Sequence, residues 1–228
     1  MTGNQETRWS LIRAASGGDP DARATFARLY LPIVRSYLTA RWHGRPLAGE
    51  VEDAVQEVFL DCFRDGGALA RLEPERTGNG FRAYLLGVIR NVALRVETQR
   101  AREFERKGNG KIHLEELAAD ETSLSRIFDR EWARSVMREA ADLLTQQARQ
   151  RGVEATRRVD LLHLRFQEGL PIREIAKKWD VPAEHLHREY AKARKEFLEA
   201  LKVIVVNREN CTPERLEEEC MHLLNLLR

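Results

Sequence analysis

Residues 164–201, LRFQEGLPIREIAKKWDVPAEHLHREYAKARKEFLEAL, constrain the fold more than any other stretch. Ile172, Ile175, Ala176 and Trp179 recur at the spacing of one helix face. WDVPA then breaks the pattern. A longer periodic run starts near Ala183, with Leu186, Tyr190, Phe197, Leu201 and Ile204 on its inward side. Short helix, tight turn and long helix form the helix-turn-helix arrangement. Ala176 is the small residue needed where two helices approach closely. Asp180, in the turn, tolerates a left-handed backbone better than most residues.

The rest of the chain also reads as helix. No alternating strand pattern of useful length is present, and no internal repeat, so the expected class is all-α. Trp9, Leu11, Ile12 and Ala15 predict a first helix closed by Gly17 and Gly18. Asp19 then caps a second helix with Pro20 at its first position. Pro32 is expected to kink or split that helix. Residues 64–80, RDGGALARLEPERTGNG, read as a long loop. FRAYLLGVIRNVALRVETQRAREFERK is a helix broken by KGNGK. Residues 108–128 are the predicted linker. A second domain is expected from 129, its first helix marked by Trp132, Val136, Ala140, Leu143 and Leu144. Leu161, Leu162, Leu164 and Phe166 mark the next. The expected division is 1–107, a linker over 108–128, 129–206, and an extension over 207–228.

In residues 50–63, EVEDAVQEVFLDCF, Val51, Ala54, Val55, Val58, Phe59, Cys62 and Phe63 share one helix face. The opposite face holds Glu50, Glu52, Asp53, Glu57 and Asp61, with no Lys or Arg in the stretch. Phosphate would be repelled by it. The net charge of +2 over 228 residues decides nothing, but its distribution does. Residues 81–107 carry a local +4 and residues 110–131 a local −3. A basic segment beside an acidic one predicts two different contacts.

On the long helix, His185, Arg188, Lys192 and Lys195 form a stripe, with His187 and Arg194 beside it. Its first residues suit base edges and its later ones phosphates. The blander alternative is a helical hairpin with a solvated face, since Glu184, Glu189, Glu196 and Glu199 share the helix. His185 and His187 lie two apart without a third ligand nearby, which argues against a metal site. No Gly-rich phosphate loop, paired carboxylates or Ser/His/Asp order points to catalysis, and no cofactor is expected. Cys62, Cys211 and Cys220 lack CxxC spacing and read as small hydrophobes of a reducing cytosol. The N-terminus has no apolar targeting run, and no stretch reaches membrane-spanning length, so a cytoplasmic protein is expected.

EDAVQEVFL followed by FRAYLLGVIRNVAL resembles regions 2.2 to 2.4 of the sigma-70 family, and LRFQEGLPIREIAKKWDVP resembles its region 4. In this order and separation they make the chain similar to an extracytoplasmic-function (group 4) sigma factor over most of residues 7–105 and 129–203. The resemblance implies bacterial core RNA polymerase and promoter DNA as partners, and allows an anti-sigma factor. It implies that Asp53, Gln56, Glu57 and Leu60 dock on a helical coiled coil of the polymerase. That would explain both the acidic face and Leu60, an apolar residue off the buried face. It assigns minus-ten capture to Arg82, Tyr84, Arg90 and Asn91, with Asn79 in the loop that pockets a flipped base. Tyr84 stands where the family usually has Trp, and Phe81 reads as core rather than base platform. Minus-thirty-five recognition falls to His185, His187, Arg188, Lys192, Arg194 and Lys195. Asp180 stands where the family commonly has Gly, and Glu189 replaces a basic residue. The rival reading is a helix-turn-helix regulator with an N-terminal helical sensor domain, binding duplex operator DNA by itself.

The tail, CTPERLEEECMHLLNLLR, predicts a last helix capped by Thr212, with Pro213 at its first position. Leu216, Cys220, Leu223, Leu224 and Leu227 share one face, expected to pack within the chain. The competing expectation is that Glu214, Glu217, Glu218 and Glu219 cover a DNA-binding surface.

Overall fold

The computed structural model describes residues 8–72, 80–107, 119–209 and 213–227. Among them every regular element is helical. In chain order the α-helices are α1 (Arg8–Ser16), α2 (Pro20–Trp42), α3 (Val51–Phe63), α4 (Gly80–Arg106), α5 (Glu121–Arg151), α6 (Val153–Phe166), α7 (Ile172–Trp179), α8 (Ala183–Glu209) and α9 (Pro213–Asn225). Single 3₁₀ turns lie at Ala48–Glu50 and Leu69–Arg71. No helix among the described residues is long and apolar enough to cross a membrane. Asn79, Cys211, Thr212 and the stretch 108–118 lie outside the described residues.

The chain forms two compact units. One is built from the described residues of Met1–Ser135, Asn207–Asn210 and Leu223–Arg228, the other from Val136–Val206 and Cys211–His222. This differs from the expected division. The predicted linker stops short of 121, because Glu121–Arg151 is one continuous helix. Leu124, Phe128 and Trp132 recur every four residues and are buried, so the first half of α5 packs in the first unit. The extension from 207 is likewise shared between units. Helix continuity and apolar spacing carry 121–128 into the same helix as Trp132, where the break at KGNGK had made 108–128 read as a linker.

The first unit centres on α2. Asp19 accepts a 2.8 Å hydrogen bond from the Ala22 amide, capping the helix with Pro20 in its first turn. Pro32 does not split it: α2 runs unbroken to Trp42. Phe26, Tyr30, Ile33, Val34, Tyr37 and Leu38 are buried along one side. Phe81 is buried with them, its ring 5.2 Å from Tyr30, as the reading of it as core required. Trp132 stacks on Tyr30 at 5.9 Å and on Phe128 at 6.0 Å. The Arg208 guanidinium lies over the Trp132 ring at 5.1 Å and donates to the Ser135 hydroxyl at 2.8 Å. After α3 the chain reverses tightly at Gly67, where an added Cβ would meet the Asp61 carbonyl oxygen at 2.5 Å. Only glycine fits so close an approach.

The second unit carries the helix-turn-helix. Leu161, Leu164, Ile172, Ile175, Ala176 and Leu186 form one buried cluster, with Trp179, Val181 and Tyr190 against it. Leu144, Leu162, Ala193 and Ala200 form a second. Asp180 adopts φ 50° and ψ 52°, the left-handed cap expected of the turn, and its amide donates to the Ala176 and Lys177 carbonyls. Phe166 lies on α6, as its spacing predicted, but outside the core. It ends α6 at 68 % exposure, its ring 6.3 Å from Tyr190. Cys62 and Cys220 are buried, and burial, reinforced by the nearby Asp61 carboxylate, pushes the Cys62 thiol up to about 12. Such a thiol is inert at neutral pH.

Candidate nucleic-acid and protein interfaces

Three surfaces gather the residues singled out by sequence. The first is the outer face of α3. Ala54, Val55, Val58 and Cys62 are buried, which turns Asp53, Gln56 and Leu60 outward. Leu60 is 64 % exposed. Glu57, partly covered, forms a 2.8 Å ion pair with Arg95 of α4, and Glu52 forms a two-pronged pair with Arg35 of α2. Both pairs are exposed and contribute little to stability. They brace α3 while leaving a free face that is acidic with one leucine.

The second surface lies on α4. Asn91 is exposed, and Tyr84 is half-buried with its hydroxyl donating to the Ala68 carbonyl. Arg82 and Arg90 are engaged by α5. The Arg82 guanidinium meets Asp129 at 2.6 Å. That of Arg90 meets Glu121 at 2.8 Å and donates to the Ser125 hydroxyl at 3.1 Å. The two contacts expected of the basic and acidic segments are, at these pairs, one contact between them.

Beneath this seam lies a polar network. Arg41, buried, donates from two nitrogens to the Glu97 carboxylate at 2.7 and 3.1 Å. The Trp42 indole donates to the same carboxylate at 2.8 Å. Arg41 also pairs with Glu121 and donates to the Tyr37 hydroxyl at 3.2 Å. Burial disfavours the Arg41 charge, but Glu97 and Glu121 more than restore it, so its pKa lies above the ordinary arginine value. Burial likewise opposes the Glu121 charge, and Arg41 and Arg90 more than offset it, holding the carboxyl below the usual glutamate range. Sequence reasoning passed over Arg41 and Glu97. A lone Arg and Glu at positions that continue the buried faces of α2 and α4 were the available signal.

The third surface is the stripe on α8. His185, His187, Arg188, Lys192, Arg194 and Lys195 are all exposed. The Arg194 guanidinium lies 5.9 Å from the centre of the Tyr190 ring. Two of the acids that favoured a solvated face are not free. Arg158 of α6 forms a two-pronged pair with Glu196 at 2.9 and 2.8 Å and reaches Glu189 at 3.3 Å. Lys192 meets Glu189 at 2.7 Å, and the Lys192 and Arg158 contacts lower the Glu189 pKa.

No protein-family model matches the chain, and no curated protein does. The functional reading therefore rests on these surfaces and on the motifs.

Proposed function

We propose that this chain is an RNA polymerase sigma factor of the extracytoplasmic-function type, which binds bacterial core polymerase and directs promoter recognition, melting and transcription initiation. The observation that carries the reading is the face of α3, where Leu60 is 64 % exposed among Asp53, Gln56 and Glu57. A buried apolar face holds the helix, and the acidic face with its leucine suits a basic protein partner and repels DNA. The helix-turn-helix supplies duplex readout of the upstream element through Arg188 and Lys192, and α4 supplies Tyr84, Asn91 and two arginines for the melted strand. Catalysis belongs to the polymerase in this reading.

Asp53→Lys with Glu57→Lys should abolish co-purification with core polymerase and lower the melting temperature only slightly, since the Glu57–Arg95 pair it breaks is exposed. A variant that still co-purifies at the wild-type level overturns the assignment of α3. The rival regulator reading predicts that the pure protein shifts duplex promoter DNA without core polymerase. A sigma factor does so only once core is added.

A further inference from the structure

Arg82 and Arg90 lie eight residues apart on α4, and Asp129 and Glu121 lie eight residues apart on α5. Arg82 takes the later carboxylate and Arg90 the earlier, so the two helices run in opposite directions along this seam. Eight residues of helix span about 12 Å. Ser125, midway between the two acids, adds a hydroxyl to Arg90. Glu121, Ser125 and Asp129 therefore form a polar ridge with a four-residue repeat, set beside the apolar ridge of Leu124, Phe128 and Trp132. The apolar ridge is almost fully buried and seats the helix, with Phe128 6.5 Å from Tyr37 and Trp132 on Tyr30. The polar ridge differs: the side chains of Glu121 and Asp129 are 49 % and 33 % exposed. Asp129 can rotate into water while the helix stays seated, and Glu121 can give up Arg90 at Oε2 while Oε1 stays on Arg41.

We propose that the start of α5 is a built-in competitor for nucleic acid: Glu121 and Asp129 occupy Arg90 and Arg82 as phosphates would, and a single strand binds by displacing them. This rests on the reading of α4 as a single-strand surface. The free protein then holds DNA weakly at α4, and whatever draws the two carboxylates away raises its affinity.

The test is fluorescence-anisotropy titration of a labelled single-stranded oligonucleotide with the full chain. Four proteins are compared: wild type, E121Q/D129N, R82A/R90A and the combination of all four changes. Melting curves check the fold, and D129N alone, which leaves the Arg41 contact intact, serves if E121Q/D129N unfolds. Removing two part-exposed carboxylates should tighten binding about tenfold. At roughly 0.7 per phosphate contact on a single strand, regaining two contacts should steepen the log–log salt slope by about 1.4. The combined variant should lose the whole gain. Equal affinity of wild type and E121Q/D129N, both weakened by R82A/R90A, would overturn the competitor and leave α4 as a DNA surface. A gain that survives in the combined variant would overturn it as well, since net charge alone would then be responsible. Binding that ignores Arg82 and Arg90 in every background would overturn the single-strand reading of α4 and the competitor with it.

Discussion

Two long helices carry the basic residues singled out for DNA, and the protein treats them in opposite ways. On α4, Arg82 and Arg90 are met by carboxylates from another helix. On α8, the acids Glu189 and Glu196 are met by Arg158 from another helix, while His185, Arg188 and Lys195 stay exposed. One surface is neutralised and the other is cleared of its opposing charge. Counting charges along a helix misses this, because the sign that a surface presents is set by the neighbouring elements.

The largest expected effect breaks the neutralised side. Trp132 is buried, stacks on Tyr30 and Phe128 and carries Arg208 over its ring. Trp132→Ala should destabilise the first unit by about 3–5 kcal/mol. Urea unfolding followed by circular dichroism measures it. A loss below about 1 kcal/mol would mean that α5 is not seated by its apolar ridge.

The next effect lies on the cleared side. If α8 docks on duplex DNA as proposed, Arg158→Ala unpairs Glu196 and leaves Glu189 to Lys192 alone, beneath the approaching phosphates. Duplex binding through the helix-turn-helix should weaken about tenfold at fixed salt, since like-charge juxtaposition opposes docking. Arg158 itself faces the two acids rather than the stripe, so its removal should leave the salt slope near that of wild type. A slope reduced by about 0.9 would instead identify Arg158 as a phosphate contact.

The smallest effect concerns pH. The Glu121 carboxyl is lowered in the folded protein, so the stability it contributes is fully present above the usual glutamate range near pH 4.3. It is lost as the pH falls through the lowered folded value. The wild type should therefore exceed Glu121→Gln in urea midpoint at pH 7, and the gap should narrow as the solution is acidified below about pH 4. A gap constant from pH 7 to pH 3 would show that the Arg41 and Arg90 contacts do not depend on the Glu121 charge.

Most of the helices were legible in the sequence, because apolar spacing, caps and turn residues act locally. Asp19 and Pro20 start α2, and Asp180 closes α7, from interactions within a few residues. The acidic face of α3 and the stripe of α8 followed from the same periodicity. The role of 121–135 was not legible. The break at KGNGK made 108–128 read as a linker and 129 as the start of a second domain, and Phe128 and Trp132 show their packing only against Tyr30, Tyr37 and Phe81. Phe166 lies on the helix that its spacing marked, but burial was not encoded there, since α6 ends at it and leaves it exposed.

The tail sharpens this point. Cys220 and Leu223 are buried, in keeping with packing within the chain, and Glu217 lies 3.6 Å from Lys202, beyond the stripe that ends at Lys195. Carboxylates do cover part of a predicted DNA surface, but they come from the start of α5. The sequence by itself determined the all-helical class, the helix-turn-helix and which faces are apolar, since these depend on contacts within one or two turns. Only the tertiary structure decided which charges remain available, because an ion pair such as Arg90 with Glu121 joins residues far apart in the chain, and no local spacing encodes it.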